Sequence, residues 1–219
     1  MLLDRQRVKF WQKWVFGFMA VIMAGFLVMI PLSNNSGCGG ATSATEQLDK
    51  EIVKYQAVVR TDPKNVAAWR ALAENYALRA NSQQPGSAGE QADLRTAAQN
   101  YEKAVKLLAK QKGAAAKQLR LDTLQQLVSV YISLKDFQLA TSAYGKITAL
   151  RPKDAQSFFE MASVAISAGD TNTALLAFTR YLKLDPNAPD AQTVKDWIAA
   201  NSGTSTPTPS PSSSAGGGQ

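Results

Sequence analysis

The sequence predicts an all-α protein: a right-handed solenoid of helix–turn–helix units, with a transmembrane helix ahead of it and a disordered tail behind. Three observations carry this reading. A proline-centred phrase recurs, as RTDPKNVAAW at 60–69, LRPKDAQSF at 150–158 and LDPNAPDAQ at 184–192, and Pro152 stands 34 residues before Pro186. Residues 14–32 form a 19-residue run without a charge. Residues 201–219 are rich in Ser, Thr, Pro and Gly and hold neither a charge nor an aromatic ring.

Residues 1–13 carry Arg5, Arg7, Lys9 and Lys13 against Asp4, and no further charge occurs until Glu46. As a helix the apolar run 14–32 extends roughly 28 Å, close to the thickness of a bilayer's hydrocarbon core. It has no polar face, and Trp11 and Trp14 lie at one end, where indole rings favour the headgroup level. The basic flank keeps residues 1–13 in the cytoplasm and sends the rest across the membrane. The run is longer than the apolar region of a cleaved secretory signal, so an uncleaved signal-anchor is expected. Cys38, in NNSGCGG, is similar to the end of a bacterial lipoprotein signal. Asn35 stands where that signal carries an aliphatic residue, so lipidation at Cys38 is not favoured. Residues 33–45 are expected to be a flexible linker.

Between 46 and 200 the chain reads as helices. Residues 46–65 (EQLDKEIVKYQAVVRTDP and its flank) read as a lone second helix, ending at Pro63. Proline closes such a helix because it lacks the N–H and pushes the preceding residue out of helical geometry. The next unit, 66–111, opens with Trp69, Leu72, Ala73 and Tyr76 on one face, and Ala97, Tyr101 and Ala104 mark its second helix. That second helix arrives 12 residues late, so the polar excess SQQPGSAGEQAD, with Pro85, Gly86 and Gly89, is expected to be a loop. Ala109 stands where the closing proline belongs, and nine further residues around KGAAAKQLR precede the next unit. The count closes: Pro63 to Pro152 spans 89 residues, two periods of 34 with 21 inserted.

The unit 121–154 places Leu124, Leu127, Val128 and Tyr131 in its first helix and Ala140, Tyr144, Ile147 and Pro152 in its second. The unit 155–188 repeats this with Phe158, Met161, Ala162 and Ala165, then Ala174, Phe178, Tyr181 and Pro186. SAGD, 167–170, reads as the turn between its helices. A final helix, 189–200, starts at Pro189 and aligns Val194, Trp197 and Ile198 as one apolar stripe that caps the stack. The tail, 201–219, cannot bury apolar surface and is expected to be disordered.

This spacing and these residues resemble the tetratricopeptide repeat, a 34-residue helix–turn–helix unit with the pattern W-x2-L-G-x2-Y…A-x3-F…P. Ala165 departs from it, since Tyr is expected there. Such pairs bury their apolar faces only by stacking. The resemblance implies a concave groove lined by first helices that cradles a peptide or protein partner. The residues it assigns here are Arg70, Glu74, Gln125, Gln126, Ser129, Gln156, Phe159, Glu160 and Ser163. Some members of the family clamp a terminal carboxylate with basic donors. Glu74 and Glu160 occupy that neighbourhood here, which disfavours such a clamp.

Composition excludes several chemistries. The chain has 24 Lys+Arg, 17 Asp+Glu, one Cys and no His. Histidine-dependent catalysis is impossible, and a zinc site of Cys and His ligands is ruled out in practice. No phosphate loop, nucleophile elbow or metal spacing occurs, so no enzyme and no cofactor are expected. Residues 46–200 carry 20 basic and 16 acidic groups, too mild a bias for a nucleic-acid partner. Six cations without an acid between Lys103 and Arg120 suit an anionic lipid surface or an acidic partner, but the favoured reading is a lysine-rich helix end that complements the helix dipole. The architecture resembles bacterial inner-membrane tetratricopeptide proteins of envelope assembly. It implies a membrane-tethered scaffold or co-chaperone for envelope proteins. The alternatives are an accessory subunit of a cytochrome c maturation complex, or a solenoid that stacks on copies of itself.

Overall fold

Why each helix starts and stops where it does is visible at the seams. The computed structural model describes residues 40–204. They form eight helices: α1 (Gly40–Thr61), α2 (Val66–Asn81), α3 (Ala88–Leu108), α4 (Ala114–Ser133), α5 (Phe137–Leu150), α6 (Ala155–Ser167), α7 (Thr171–Leu184) and α8 (Ala191–Asn201), with a 3₁₀ turn at Ser202–Thr204. No strand occurs among the described residues. Each helix from α2 to α8 packs against the next in sequence, so the order along the chain is also the order in space. The residues assigned to the membrane anchor, to lipidation (Cys38) and to most of the tail lie outside the described ones. Among the described residues no helix is long and apolar enough to cross a membrane.

At the Pro63 seam the Asp62 carboxylate accepts from the Lys64 N–H (3.1 Å) and the Asn65 side chain caps α2 by accepting from the Ala68 N–H (3.0 Å). Trp69 closes the seam by donating its indole N–H to the Pro63 carbonyl at 2.9 Å. Within the second and third units the turns match. Lys135 (φ 58°) and Gly169 (φ 73°) sit one period apart in the left-handed region. The following amides, of Asp136 and Asp170, each bond back to the carbonyls of Tyr131 and Ala165 at 2.9 Å. This satisfies carbonyls that the helix end leaves open. The two aspartates then cap α5 and α7 through the Leu139 and Thr173 amides.

The small residues predicted to allow close helix approach are fully buried: Ala73, Ala140, Ala162 and Ala174 are each 0% exposed. One apolar cluster joins α2 to α5 around Leu124, Leu127, Tyr131 and Ile147. Another joins α6, α7 and α8 around Phe178, Tyr181 and Val194, with Trp197 and Ile198 packed against it. The phenyl ring of Phe178 meets the indole of Trp197 edge-on at 5.2 Å. The α1 helix rests on α2 through Ile52, Val59, Ala68 and Leu72.

Four boundaries differ from expectation. The linker expected at 33–45 is helical from Gly40, where an Ala- and Gln-containing stretch and a Lys50–Glu46 pair (2.8 Å) extend α1. The inserted residues lengthen helices instead of forming loops. The loop after α2 is confined to 82–87, and Gly89 to Asp93 are helical, because Ser87 accepts from the Glu90 N–H (3.1 Å) while the Glu90 carboxylate reaches back to the Gly86 N–H. This reciprocal S-x-x-E cap starts the helix early. At the Ala109 seam, Gly113 (φ 106°) makes the break that proline makes elsewhere, and residues 114–120 join α4. As a result α3 has 21 residues against 14 in α5 and α7, and α4 has 20 against 13 in α6. Finally, Pro189 lies ahead of α8, whose N-cap is Asp190. Its carboxylate accepts from the Tyr181 hydroxyl instead of capping the helix.

Candidate functional site

A helix exposes as one stripe the residues three, four, seven and eight apart. The stripe that faces away from the core on the three first helices therefore follows from the residues that face inward. Leu72, Leu124, Leu127 and Ala162 point to the core. The opposite stripes are Arg70, Glu74 and Leu78 on α2, Gln125, Ser129 and Ile132 on α4, and Phe159, Ser163 and Ile166 on α6.

The assigned residues behave differently in the three units. On α4, Gln125, Gln126 and Ser129 are all exposed. On α2, Glu74 is exposed and Arg70 half-buried, with the Arg70 Nε enclosed and lacking an acceptor. Both lie near the Tyr101 hydroxyl of α3. Burial pushes that phenol up to about 12; Glu74 raises it further and Arg70 opposes. On α6, Gln156 is exposed and donates to Glu160 at 3.2 Å. Glu160 is half-buried beside Tyr144 of α5, whose hydroxyl is pushed up to about 12 by burial first and by Glu160 second. Ser163 is half-buried and donates to the Phe159 carbonyl at 3.0 Å.

Phe159, which the resemblance also assigns to the groove, is half-buried, with its ring 5.7 Å from Phe178 and 5.3 Å from Tyr181 at the margin of the core. Aromatic burial outweighs its position on the stripe: a phenyl ring gains far more by leaving water than by staying on a polar face.

Three exposed aliphatic residues stand next to the assigned ones. Leu78, Ile132 and Ile166 are 48%, 40% and 42% exposed. They continue the three stripes by one further turn, and Ile132 and Ile166 stand one 34-residue period apart. The signal was available: extending each stripe from Glu74, Ser129 and Ser163 by three or four residues reaches them.

Two clefts lie away from this face. One, of 310 Å³, sits where α3 meets the α4–α5 turn, lined by Arg95, Gln99, Glu102, Tyr131, Asp136 and Leu139 among others. In it Tyr131 donates to Glu102 at 2.6 Å, and burial together with that carboxylate raises its phenol well above the usual range. The other, of 510 Å³, opens between α5 and the α6–α7 turn, beside Gly145 and Met161. Among the described residues no group of three or more Cys, Asp or Glu side chains could hold a metal.

Residues 121–154 match the family model of the tetratricopeptide repeat. No curated protein matches the chain. Among solved structures, the crystal structure of MamA is similar at 18% identity with a TM-score of 0.46, covering 77% of this chain and 86% of that one. The structure of YrrB, described as a TPR protein with an unusual peptide-binding site, is similar at 14% identity with a TM-score of 0.27, over 70% of this chain and 86% of that one. In the Cut9–Hcn1 tetramer of the APC/C, 14% identity and a TM-score of 0.38 accompany coverage of 71% of this chain and 40% of the other. The chain thus has one segment, 121–154, that is similar to the tetratricopeptide repeat, set within an array of successively packed helices.

Proposed function

We propose that the chain is a protein-binding scaffold that takes a peptide or protein segment on the shared face of α2, α4 and α6. One observation carries this reading: Ile132 and Ile166 leave aliphatic side chains in water at the same register of α4 and α6, and Leu78 does so one residue further along α2. Single exposed aliphatics are ordinary, but a recurrence at one register gives a partner evenly spaced apolar contacts. Gln125, Gln126, Ser129 and Gln156 stand beside them as uncharged donors and acceptors suited to a peptide backbone. The reading extends to location. Residues 14–32 serve as a single-pass anchor in a bacterial inner membrane, with residues 1–13 cytoplasmic and the repeats outside, where the scaffold or co-chaperone meets envelope proteins. The basic flank and the uncharged run support that orientation.

A photo-cross-linking residue at Gln125 tests the face, with the same residue at Lys146 on α5 as control. A partner trapped from Gln125, not from Lys146, and lost on Ile132→Asp supports the reading. Equal trapping from both positions refutes it. Protease added to intact spheroplasts should digest residues 46–200; protection would place the repeats on the other side.

A further inference from the structure

The α3–α4 seam gathers cations that nothing in the fold neutralises. Lys103, Lys106, Lys110, Lys112 and Lys117 are all exposed, and among the described residues none pairs with a carboxylate. The acids at either end of the stretch are engaged elsewhere. Glu102 accepts from Tyr131 at 2.6 Å, and Asp122 accepts from Gln118 at 2.7 Å. A further cation arrives from another unit: Arg151, the C-cap of α5, donates to the Gln118 Oε1 at 3.3 Å, beside Lys117. Arg120 completes the set with its Nε enclosed and without an acceptor.

The helix dipole accounts for only part of this. Lysines near the C-terminus of α3 complement it, but Lys117 lies in the first turn of α4, where the dipole disfavours a cation. Lys103 and Lys106, both within α3, also repel one another at a spacing of three. The cluster therefore works against the local fold.

We propose that this seam is a docking surface for an acidic, Asp/Glu-rich segment of a partner protein, distinct from the face of the first helices. A protein partner fits better than a lipid surface. The Pro63 seam packs beside the cations, through Val66 and Trp69 against Leu107, Leu108 and Leu119. The cations come from α3, the turn after it, the start of α4 and the C-cap of α5, so an acidic segment laid along the seam meets them in turn. Complementary charge gives such contacts speed and salt sensitivity.

The test uses the full chain and a fluorescent Asp/Glu-rich peptide, with the matching Asn/Gln peptide as control, followed by anisotropy at low and physiological salt. The acidic peptide should bind, weaken with salt, and lose about tenfold in affinity when Lys110, Lys112 and Lys117 are all changed to Gln. Ile132→Asp should leave this binding unchanged. Circular dichroism checks that the triple variant keeps its helices, as expected for exposed side chains. Equal binding of the two peptides, an undiminished triple variant, or loss of binding on Ile132→Asp would overturn the proposal. So would binding of phosphatidylserine vesicles by a chain that ignores the peptide.

Discussion

Arg79 ties three helices together, and removing it should be among the most damaging single changes outside the apolar core. Its Nε and Nη2 donate to the two carboxylate oxygens of Asp93 at 2.8 and 2.6 Å, and its Nη1 donates to Asp49 at 2.6 Å. Gln83 adds a third bond to Asp93 at 2.6 Å. The Asp93 side chain is 9% exposed, whereas that of Asp49 is 52% exposed. The two pairs therefore differ in worth. The exposed bridge to Asp49 is screened and contributes about 0.5 kcal/mol. The Asp93 pair is bidentate and sheltered, and holds the guanidinium charged well beyond its ordinary range through the hydrogen bond to Asp93 first. Arg79→Ala strands a buried carboxylate with one amide donor, which costs about 3 kcal/mol. For a domain of this size that is a fall of about 6–12 °C in Tm.

Thermal and urea unfolding of the full chain, followed by circular dichroism, measure the effect. Asp49→Ala should cost about 0.5 kcal/mol, and adding Asp93→Ala to Arg79→Ala should recover part of the loss, because the stranded charge goes with it. An Arg79→Ala loss below about 1 kcal/mol, or an Asp49→Ala loss equal to it, would refute the assignment of the energy to the Asp93 pair.

Three further outcomes are expected. Lys135→Gly should stabilise by about 0.5 kcal/mol and Gly169→Ala destabilise by about 1 kcal/mol in denaturant titration, since both sites need positive φ and nothing crowds Gly169 within 4 Å. Leu124→Ala, at a site 0% exposed between α4 and its neighbours, should cost about 2–5 kcal/mol in the same assay. Tyr101 and Tyr144 have phenols raised from 10 to about 12 in the folded chain, so the stability they support is complete below pH 10 and is lost as pH rises through 12. Tm should fall across that window, and Tyr101→Phe should flatten the fall.

The periodic part of the fold was legible because the repeat writes its core in size and its ends in turn chemistry. Leu124, Tyr131, Ala140 and Ile147 are buried where the pattern puts them, and SAGD turns where Gly169 allows it. The insertions are less legible because polar residues suit a loop and a capped helix alike. Ser87 and Glu90 form a reciprocal cap, and once that cap is made, polar residues continue a helix readily. The face was legible only where no large ring competed. Gln125 and Ser129 stand in solvent, while Phe159 at the same position of its stripe turned to Phe178 and Tyr181.

The lengthened starts of α3 and α4 are also where the chain departs from a plain repeat. Lengthening α3 at its start brings Asp93 into reach of Arg79, and so anchors α1 through Asp49. Lengthening α4 at its start adds Lys117, places Gln118 against Arg151 and brings Arg120 into the seam. Residues shared with other units build the core and the common face. Neither the three-helix clamp nor the basic seam has a counterpart in the units at 121–154 and 155–188, because both depend on turns those units lack. Deleting 114–120 should therefore remove Lys117 and Arg120 and weaken the basic seam while leaving the core residues Leu124 and Leu127 in their own unit. If acidic-peptide binding were undiminished by that deletion, the added turns would be a structural extension and the specificity would lie elsewhere.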